Sequence, residues 1–276
     1  MSKPFYKFLK DNANHDALIG SINGNIMFSK IPELNDFSET FALTDREEIN
    51  NSLLKISHNG LDEQLSKMLT KHDKFLKKFS QDKIYSVIKH FRSQIISSGH
   101  TNNTVNVLPE MLNEINKIIQ DEIGIFCVSE NVNCFPMWAH YADNAKGFAV
   151  EYINLEEVFQ GDETGELNEL KKVNYSEKRP PVTLEPAPLM AMLYSKHQDW
   201  SYEREHRVIK HLSECTKEKL SDNSIKFFYK IDPGKYIKRI IVGWNGNFEE
   251  IHDIVSKNCS SIEVIQAKVR NAEIIV

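Results

Sequence analysis

Over residues 5–41 the apolar positions come in short runs broken by turn residues. Phe5-Tyr6-Lys7-Phe8-Leu9 reads as a strand, Asn23-Gly24-Asn25 as a turn and Ile26-Met27-Phe28 as a second strand. Ile31-Pro32-Glu33-Leu34-Asn35-Asp36 follows as a polar, turn-like stretch. Over residues 44–122 the spacing changes. Leu61, Leu65, Met68, Leu69, Phe75, Leu76 and Phe79 recur at three- and four-residue steps, and Thr44-Asp45-Arg46-Glu47 has the capping-box pattern, so about three or four helices are predicted here.

Strand signals return after Glu122. Residues 123–129 and 148–153 are short apolar runs, and 136–145 between them reads as a helix with Pro136 in its first turn and Gly147 beyond its end. Pro180, Pro181, Pro186 and Pro188 punctuate a loop before a helix predicted over 189–196. Residues 200–210, 225–231, 236–242 and 261–269 read as strands, and 247–258 as a helix with Phe248, Ile251, Ile254 and Val255 on one face. No internal repeat is visible. The pattern predicts one α+β domain with a mixed sheet over residues 1–276, carrying an all-helical insertion at 44–122.

Composition agrees with a folded chain: 276 residues, 41% hydrophobic and 26% charged, enough to bury about 70 to 75% of the unfolded surface. The first residues lack a signal-peptide pattern and no run is long enough to span a membrane, so a cytoplasmic protein with no membrane partner is expected. Four cysteines without a Cys-x-x-Cys pair indicate reduced thiols rather than a disulfide framework or a Cys-rich zinc site. A formal charge of -5 argues against bulk coating of nucleic acid, yet the charge is uneven. Lys67, Lys71, Lys74 and Lys78 line one helical face, whereas residues 151–170 carry seven acidic side chains and no Lys or Arg. The lysine face is either a solvated helix surface or a contact for a phosphate backbone or acidic partner.

Three clusters carry candidate chemistry. Met137-Trp138-x-His140-Tyr141 places a thioether and aromatic surface on a helix, suited to stacking on a planar ring or to packing on the sheet. In Trp200-Ser201-Tyr202-Glu203-Arg204-Glu205-His206-Arg207, strand alternation puts Glu203, Glu205 and Arg207 on one face. Two neighbouring carboxylates repel unless compensated, either by a bidentate pair with Arg207 or by a role in steadying positive charge on a substrate. Asn35, Asp36 and Glu39 follow Phe28-Ser29 in a context that an Asx turn alone would explain, and Ser129-Glu130 directly follows a strand. No His-Glu-x-x-His, Gly-x-Gly-x-x-Gly or P-loop sequence occurs.

Together these motifs resemble a bacterial family catalogued as a domain of unknown function. Its members share a Tyr-Lys-Tyr-like first strand, an Asn-Asp-Pro-x-Glu turn, a strand ending in Ser, a Met-Trp-x-His-Tyr helix leading to Gly, and a late Trp-x-x-Glu-x-Glu-x-Arg. Tyr6-Lys7-Phe8, Asn35 to Glu39, Phe126 to Ser129, Met137 to Tyr141 with Gly147, and Trp200 to Arg207 match in order. Phe37 stands in place of the usual Pro, and Phe8 in place of the second Tyr.

The arrangement is more distantly similar to ADP-ribosyltransferases, and that resemblance implies a mostly antiparallel sheet core. It makes NAD the substrate, needs no metal, and assigns Glu205 as the catalytic carboxylate with Glu203 activating or orienting the acceptor. It places Tyr6 and Lys7 in the first NAD-binding motif and Ser129, Trp138 and Tyr141 in the nicotinamide clamp, with Asn35, Asp36, His140 and Arg207 as further NAD contacts. Residues 191–202 take the place of a mobile loop, with Tyr194, Lys196 and Trp200 recognising the acceptor. The implied role is a toxin or anti-phage defence effector acting on a macromolecular acceptor, protein or nucleic acid, and held in check by an antitoxin protein. Two other readings remain open. Asp36, Glu39, Glu203 and Glu205 can be ligands of Mg²⁺ in a nuclease or phosphodiesterase, or the chain can be a non-catalytic partner-binding module in which Glu205 pairs with Arg207.

Overall fold

The computed structural model describes residues 3–34, 77–97, 104–163, 165, 167–177, 191, 193–220 and 223–276. Asn35, Asp36, Glu39, the Thr44 capping box, and Lys67, Lys71 and Lys74 lie outside the described residues.

The strands are β1 (Phe5–Leu9), β2 (Asn25–Phe28), β3 (Ile123–Ser129), β4 (Phe148–Tyr152), β5 (Lys171–Lys172), β6 (Asn174–Ser176), β7 (Ser195–His197), β8 (Glu205–His211), β9 (Thr216–Lys219), β10 (Ile225–Lys230), β11 (Ile237–Val242), β12 (Glu263–Gln266), β13 (Lys268–Arg270) and β14 (Glu273–Ile275). The longer helices are α1 (Asp16–Ile22), α2 (Gln81–Ser97), α3 (Thr104–Glu122), α4 (Phe135–Tyr141) and α5 (Phe248–Asn258). Seven strands form the main sheet in the order β12-β11-β4-β1-β3-β8-β5, in which only β11 and β12 run parallel. A smaller antiparallel sheet, β2-β10-β9, lies beside it. The architecture is therefore α+β with a mixed, mostly antiparallel sheet. Among the described residues no helix is long and apolar enough to cross a membrane.

Alternation along the strands decides which face each helix covers. Phe5, Phe126, Val150 and Ile240 face one way and bury against Leu18 and Ile22 of α1 and Ile251 and Val255 of α5. On the opposite face two separate apolar clusters form. Met137 and Trp138 of α4 pack on Phe8, Ala149 and Ile241, while Ile84 and Phe91 of α2 and Met111, Ile115 and Ile119 of α3 pack with Ile123, Ile125 and Ile209. Burial of such side chains contributes about 1.5 to 3 kcal/mol each. Between these two clusters the sheet face carries polar side chains.

The sheet also has a seam. β1 pairs with β4 at five positions and β3 pairs with β8 at seven, but β1 and β3 meet at one register position, Tyr6 opposite Ser129. Farther along, Ile125 exchanges backbone hydrogen bonds with Ser29 instead, at 2.8 and 3.0 Å. A wedge opens between Lys7 to Leu9 on one side and Cys127 on the other.

Several expectations change. Residues 200–210 are not one strand: Gln198–Glu203 is a 3₁₀ turn, Arg204 adopts a left-handed φ of 44°, and β8 starts at Glu205. Glu203 thus sits on the turn before the strand. The helix expected over 189–196 has given way to β7 by Ser195, so Lys196 is on a strand paired with Tyr175 of β6. The strand expected over 261–269 divides in two: β12 joins the main sheet, while β13 forms a hairpin with β14. Helix α1 has no counterpart among the sequence expectations. Its N-cap residue, His15, makes no side-chain capping bond, so the usual start signal is missing.

Candidate functional site

A cavity of about 290 Å³ sits at the seam, between α4 and the turn that precedes β8. Register alone brings three of its residues together. Tyr6 on β1 is opposite Ser129 on β3, and Ser129 is opposite Glu205 on β8, so the three form one row across adjacent strands. Arg207 stands two residues on from Glu205 and therefore on the same face of β8. Glu203 is added by the 3₁₀ turn, Tyr141 by α4 and Lys196 by β7.

The centre is a buried cluster of two carboxylates and two cations. Arg207 grips Glu205 with two prongs, Nε to Oε1 at 2.8 Å and Nη2 to Oε2 at 2.9 Å, and its Nη1 donates to the Leu193 carbonyl at 2.7 Å. Lys196 Nζ donates to Glu203 Oε2 at 2.7 Å and to Glu205 Oε2 at 3.4 Å. The Tyr141 hydroxyl donates to Glu203 Oε1 at 2.7 Å. None of Lys196, Glu203, Glu205 and Arg207 is more than 5 % exposed. Charges removed from water to this extent require such partners, so the cluster is internally compensated.

The two carboxylates nevertheless differ. Burial would raise Glu205, but the charges of Arg207 and Lys196 outweigh it and hold the carboxyl down to about 2. Glu203 moves the other way. Burial, with the neighbouring Glu205 charge, raises it despite Lys196 and the Tyr141 hydrogen bond. The pair thus couples a firmly ionised carboxylate to one that takes up a proton more readily, a division of roles common where acid and base work is done. The Cys127 thiol, in the same cavity, is pushed up by burial and by Glu205.

Each expected residue can now be placed. Tyr6, Lys7, Ser129, His140, Tyr141, Glu203, Glu205 and Arg207 all line the cavity. Ser129 is 1 % exposed, and its hydroxyl donates to the Glu203 carbonyl at 2.6 Å while accepting from the Asn131 N–H, so it fixes the turn that carries Glu203. Trp138 does not line the cavity. It is fully buried, its Nε1 donates to the Val132 carbonyl at 2.8 Å, and its ring meets Phe8 edge-on at 5.0 Å, so it anchors α4 to the sheet, and α4 reaches the cavity wall through Met137, His140 and Tyr141 instead. Lys196 and Tyr194 are buried rather than displayed on a loop surface. Lys78, from the basic run, pairs with Asp162 of the acidic 151–170 stretch at 2.9 Å.

Two members of the site have roles that the sequence reading does not assign: Lys196 is expected there only as an acceptor-recognition group on a loop, and Tyr175 is not singled out. Lys196 is the shared cation of the carboxylate pair, and the Tyr175 hydroxyl accepts from the Glu205 N–H at 2.8 Å. Behind Tyr6, the buried Glu151 accepts from Arg239 Nε at 2.5 Å and Lys238 Nζ at 3.1 Å, and burial together with Glu151 raises the Tyr6 hydroxyl against the pull of Arg239. Among the described residues no three His, Cys, Asp or Glu side chains are grouped to hold a metal ion.

No curated protein and no solved structure matches the chain. A family model does: residues 137–208, the stretch holding Tyr141, Lys196, Glu203, Glu205 and Arg207, match a family described as a protein of unknown function, DUF2971.

Proposed function

We propose that the chain is an NAD-dependent ADP-ribosyltransferase that modifies a macromolecular acceptor, protein or nucleic acid, as a toxin or anti-phage defence effector. The observation that carries this reading is the convergence, around one cavity at a seam in the sheet, of Tyr6, Ser129 and Glu205 from three adjacent strands with Tyr141 and Glu203 beside them. These are the positions that the ADP-ribosyltransferase resemblance assigns to NAD and its acceptor.

The chemistry follows from the two carboxylates. The bond between the ribose C1′ and the nicotinamide nitrogen breaks, and its electron pair leaves with nicotinamide, which becomes neutral. Positive charge develops on the ribose. Glu205, held ionised, opposes that charge, and electrostatic contacts of this kind are worth about 10²-fold or more in rate. An acceptor O–H or N–H then attacks C1′ and gives its proton to Glu203, whose raised affinity for a proton suits it as a base. Tyr141 borders the leaving ring and, through its hydroxyl, steadies Glu203.

A divalent-cation site on the same carboxylates is less well supported, because the Lys196 ammonium already bridges them and a second cation would have to displace it. The deciding experiment incubates the purified protein with labelled NAD and cell lysate. Label entering protein, RNA or DNA with release of nicotinamide, reduced about 100-fold or more in Glu205→Gln, is the expected result. Unchanged NAD, or full turnover in a folded Glu205→Gln variant, would sink the assignment.

A further inference from the structure

A second cavity, of about 360 Å³, lies on the opposite face of the main sheet, enclosed by α1 and the small sheet. Its size falls in the range of small-molecule sites. Phe126 and Tyr152 from the main sheet and Met27 and Phe228 from the small one give it apolar walls. Its polar groups are unusual for a packing defect.

Tyr152 is 2 % exposed, and its hydroxyl makes no hydrogen bond among the described residues. Burial alone pushes that hydroxyl up, with no charged neighbour contributing. The hydroxyl is not sealed in the core: it opens onto the cavity, where a polar atom of a ligand can take it as a hydrogen-bond partner. Lys7 lines the same cavity. Its ammonium lies 5.5 Å from the Phe126 ring centroid and forms no ion pair among the described residues. At the rim, the side chains of Asn14 and Asn25 have no hydrogen bonds among the described residues either, whereas Asn12 is committed to Asp16 and to the backbone of Asn14 and Asp16. The cavity therefore offers apolar walls for a flat ring, a phenol and two amides for a heterocycle's polar edge, and one cation for an anionic group.

We propose that this cavity binds a nucleobase carrying a phosphate, an AMP-sized ligand, with the phosphate at Lys7 and the base on the Phe228 side of the cavity, its polar edge towards the Tyr152 hydroxyl. Two sources share that chemistry. One is a free mononucleotide. The other is the AMP half of a dinucleotide whose far end reaches the first cavity, since Lys7, Leu9 and Met27 line both cavities at the seam. The site stands independently of the transferase reading, because it is defined by binding rather than turnover.

The test is a titration of the intact protein with AMP and, separately, with NAD, followed by calorimetry and by protein amide chemical shifts. Saturable binding of at least one of the two is expected, weakened about tenfold or more by Lys7→Met and several-fold by Tyr152→Phe. Tyr152→Phe deletes a hydroxyl with no protein partner, so it should fold with an unchanged or raised melting temperature, which separates a lost contact from a lost fold. Equal affinities for AMP and NAD identify the free mononucleotide as the source; NAD about tenfold tighter or more, displaced by AMP and weakened by Tyr152→Phe, whose side chain lines only this cavity, identifies the dinucleotide. Binding of neither ligand, or affinities untouched by both substitutions, would overturn the proposal. Loss of NAD turnover in Glu205→Gln with AMP binding intact would leave it standing, and so would failure to find any transferase activity.

Discussion

Lys196 Nζ lies 2.7 Å from Glu203 Oε2, and the same ammonium reaches Glu205 Oε2 at 3.4 Å. One cation thus serves two carboxylates that would otherwise repel inside the protein. Removing one partner from a buried ionic group commonly costs about 3 to 5 kcal/mol, because the remaining charge is left without compensation. Lys196→Met is expected to lower the unfolding free energy by about 3 kcal/mol at neutral pH, with Lys196→Arg recovering part of the loss. Urea denaturation followed by far-ultraviolet circular dichroism measures both. A loss below about 1 kcal/mol in Lys196→Met would mean that the ammonium is dispensable to the cluster.

The two carboxylates should imprint opposite slopes on stability against pH. Glu205 is held at about 2 in the folded protein, below its ordinary value of 4.5. Its contribution is present above pH 4.5 and is lost as pH falls from there towards 2, and the difference corresponds to about 3 kcal/mol. Glu203 is raised, so its contribution is greatest below pH 4.5 and declines as pH rises through its folded value. Unfolding free energies measured from about pH 2 to about pH 8 are expected to fall less steeply on the acid side in Glu205→Gln. In Glu203→Gln they are expected to lose part of their decline above pH 4.5. Curves parallel to that of the unsubstituted protein in both variants would contradict this assignment.

The sequence makes much of this arrangement legible, and for identifiable reasons. β1, β3, β4, β10 and β11 are apolar or β-branched runs bounded by turn residues, and α5 has both an Asn247 cap, which accepts from the Glu250 N–H, and an apolar stripe. Glu205 and Arg207 fall on one face as expected because the strand period holds there. Glu203 departs from that period through two features invisible to a period count, the 3₁₀ turn and the left-handed Arg204. Lys196 is hidden for another reason. β7 is three residues long, too short to show any period, and the partners that give Lys196 its meaning lie on other elements. Trp138 illustrates a third limit: a helical aromatic stripe looks the same whether it faces a ligand or a sheet, and only the packing on Phe8, Ala149 and Ile241 decides.

That packing is itself testable. Trp138 is fully buried and donates to the Val132 carbonyl, so Trp138→Ala removes a large side chain and orphans a carbonyl within the core. A loss of about 3 to 5 kcal/mol is expected, and Trp138→Phe, which keeps a ring but not the donor, should lose less. Chemical denaturation measures both losses. Should Trp138→Ala cost under about 1 kcal/mol, α4 is held to the sheet by something other than this anchor.

Two glycines give a paired prediction from space alone. A Cβ at Gly147 would stand 2.2 Å from the Leu9 carbonyl oxygen, and the obstacle is backbone at the point where β1 and β4 pair, Leu9 opposite Phe148. Neither strand can withdraw without giving up that register, because the Gly147 carbonyl also accepts from the Gly243 N–H at 2.9 Å and ties the position to the start of the turn after β11. Gly20 is the reverse case. It lies within α1, and a Cβ there meets nothing within 4 Å. Gly147→Ala is therefore expected to destabilise by about 3 kcal/mol or to prevent folding, as overpacking against rigid backbone does. Gly20→Ala should stabilise by about 0.5 to 1 kcal/mol through the lower backbone entropy of the unfolded chain. Thermal unfolding of the two variants side by side should move their midpoints in opposite directions; a stabilised Gly147→Ala would mean that β1 and β4 do not meet as closely as this register requires.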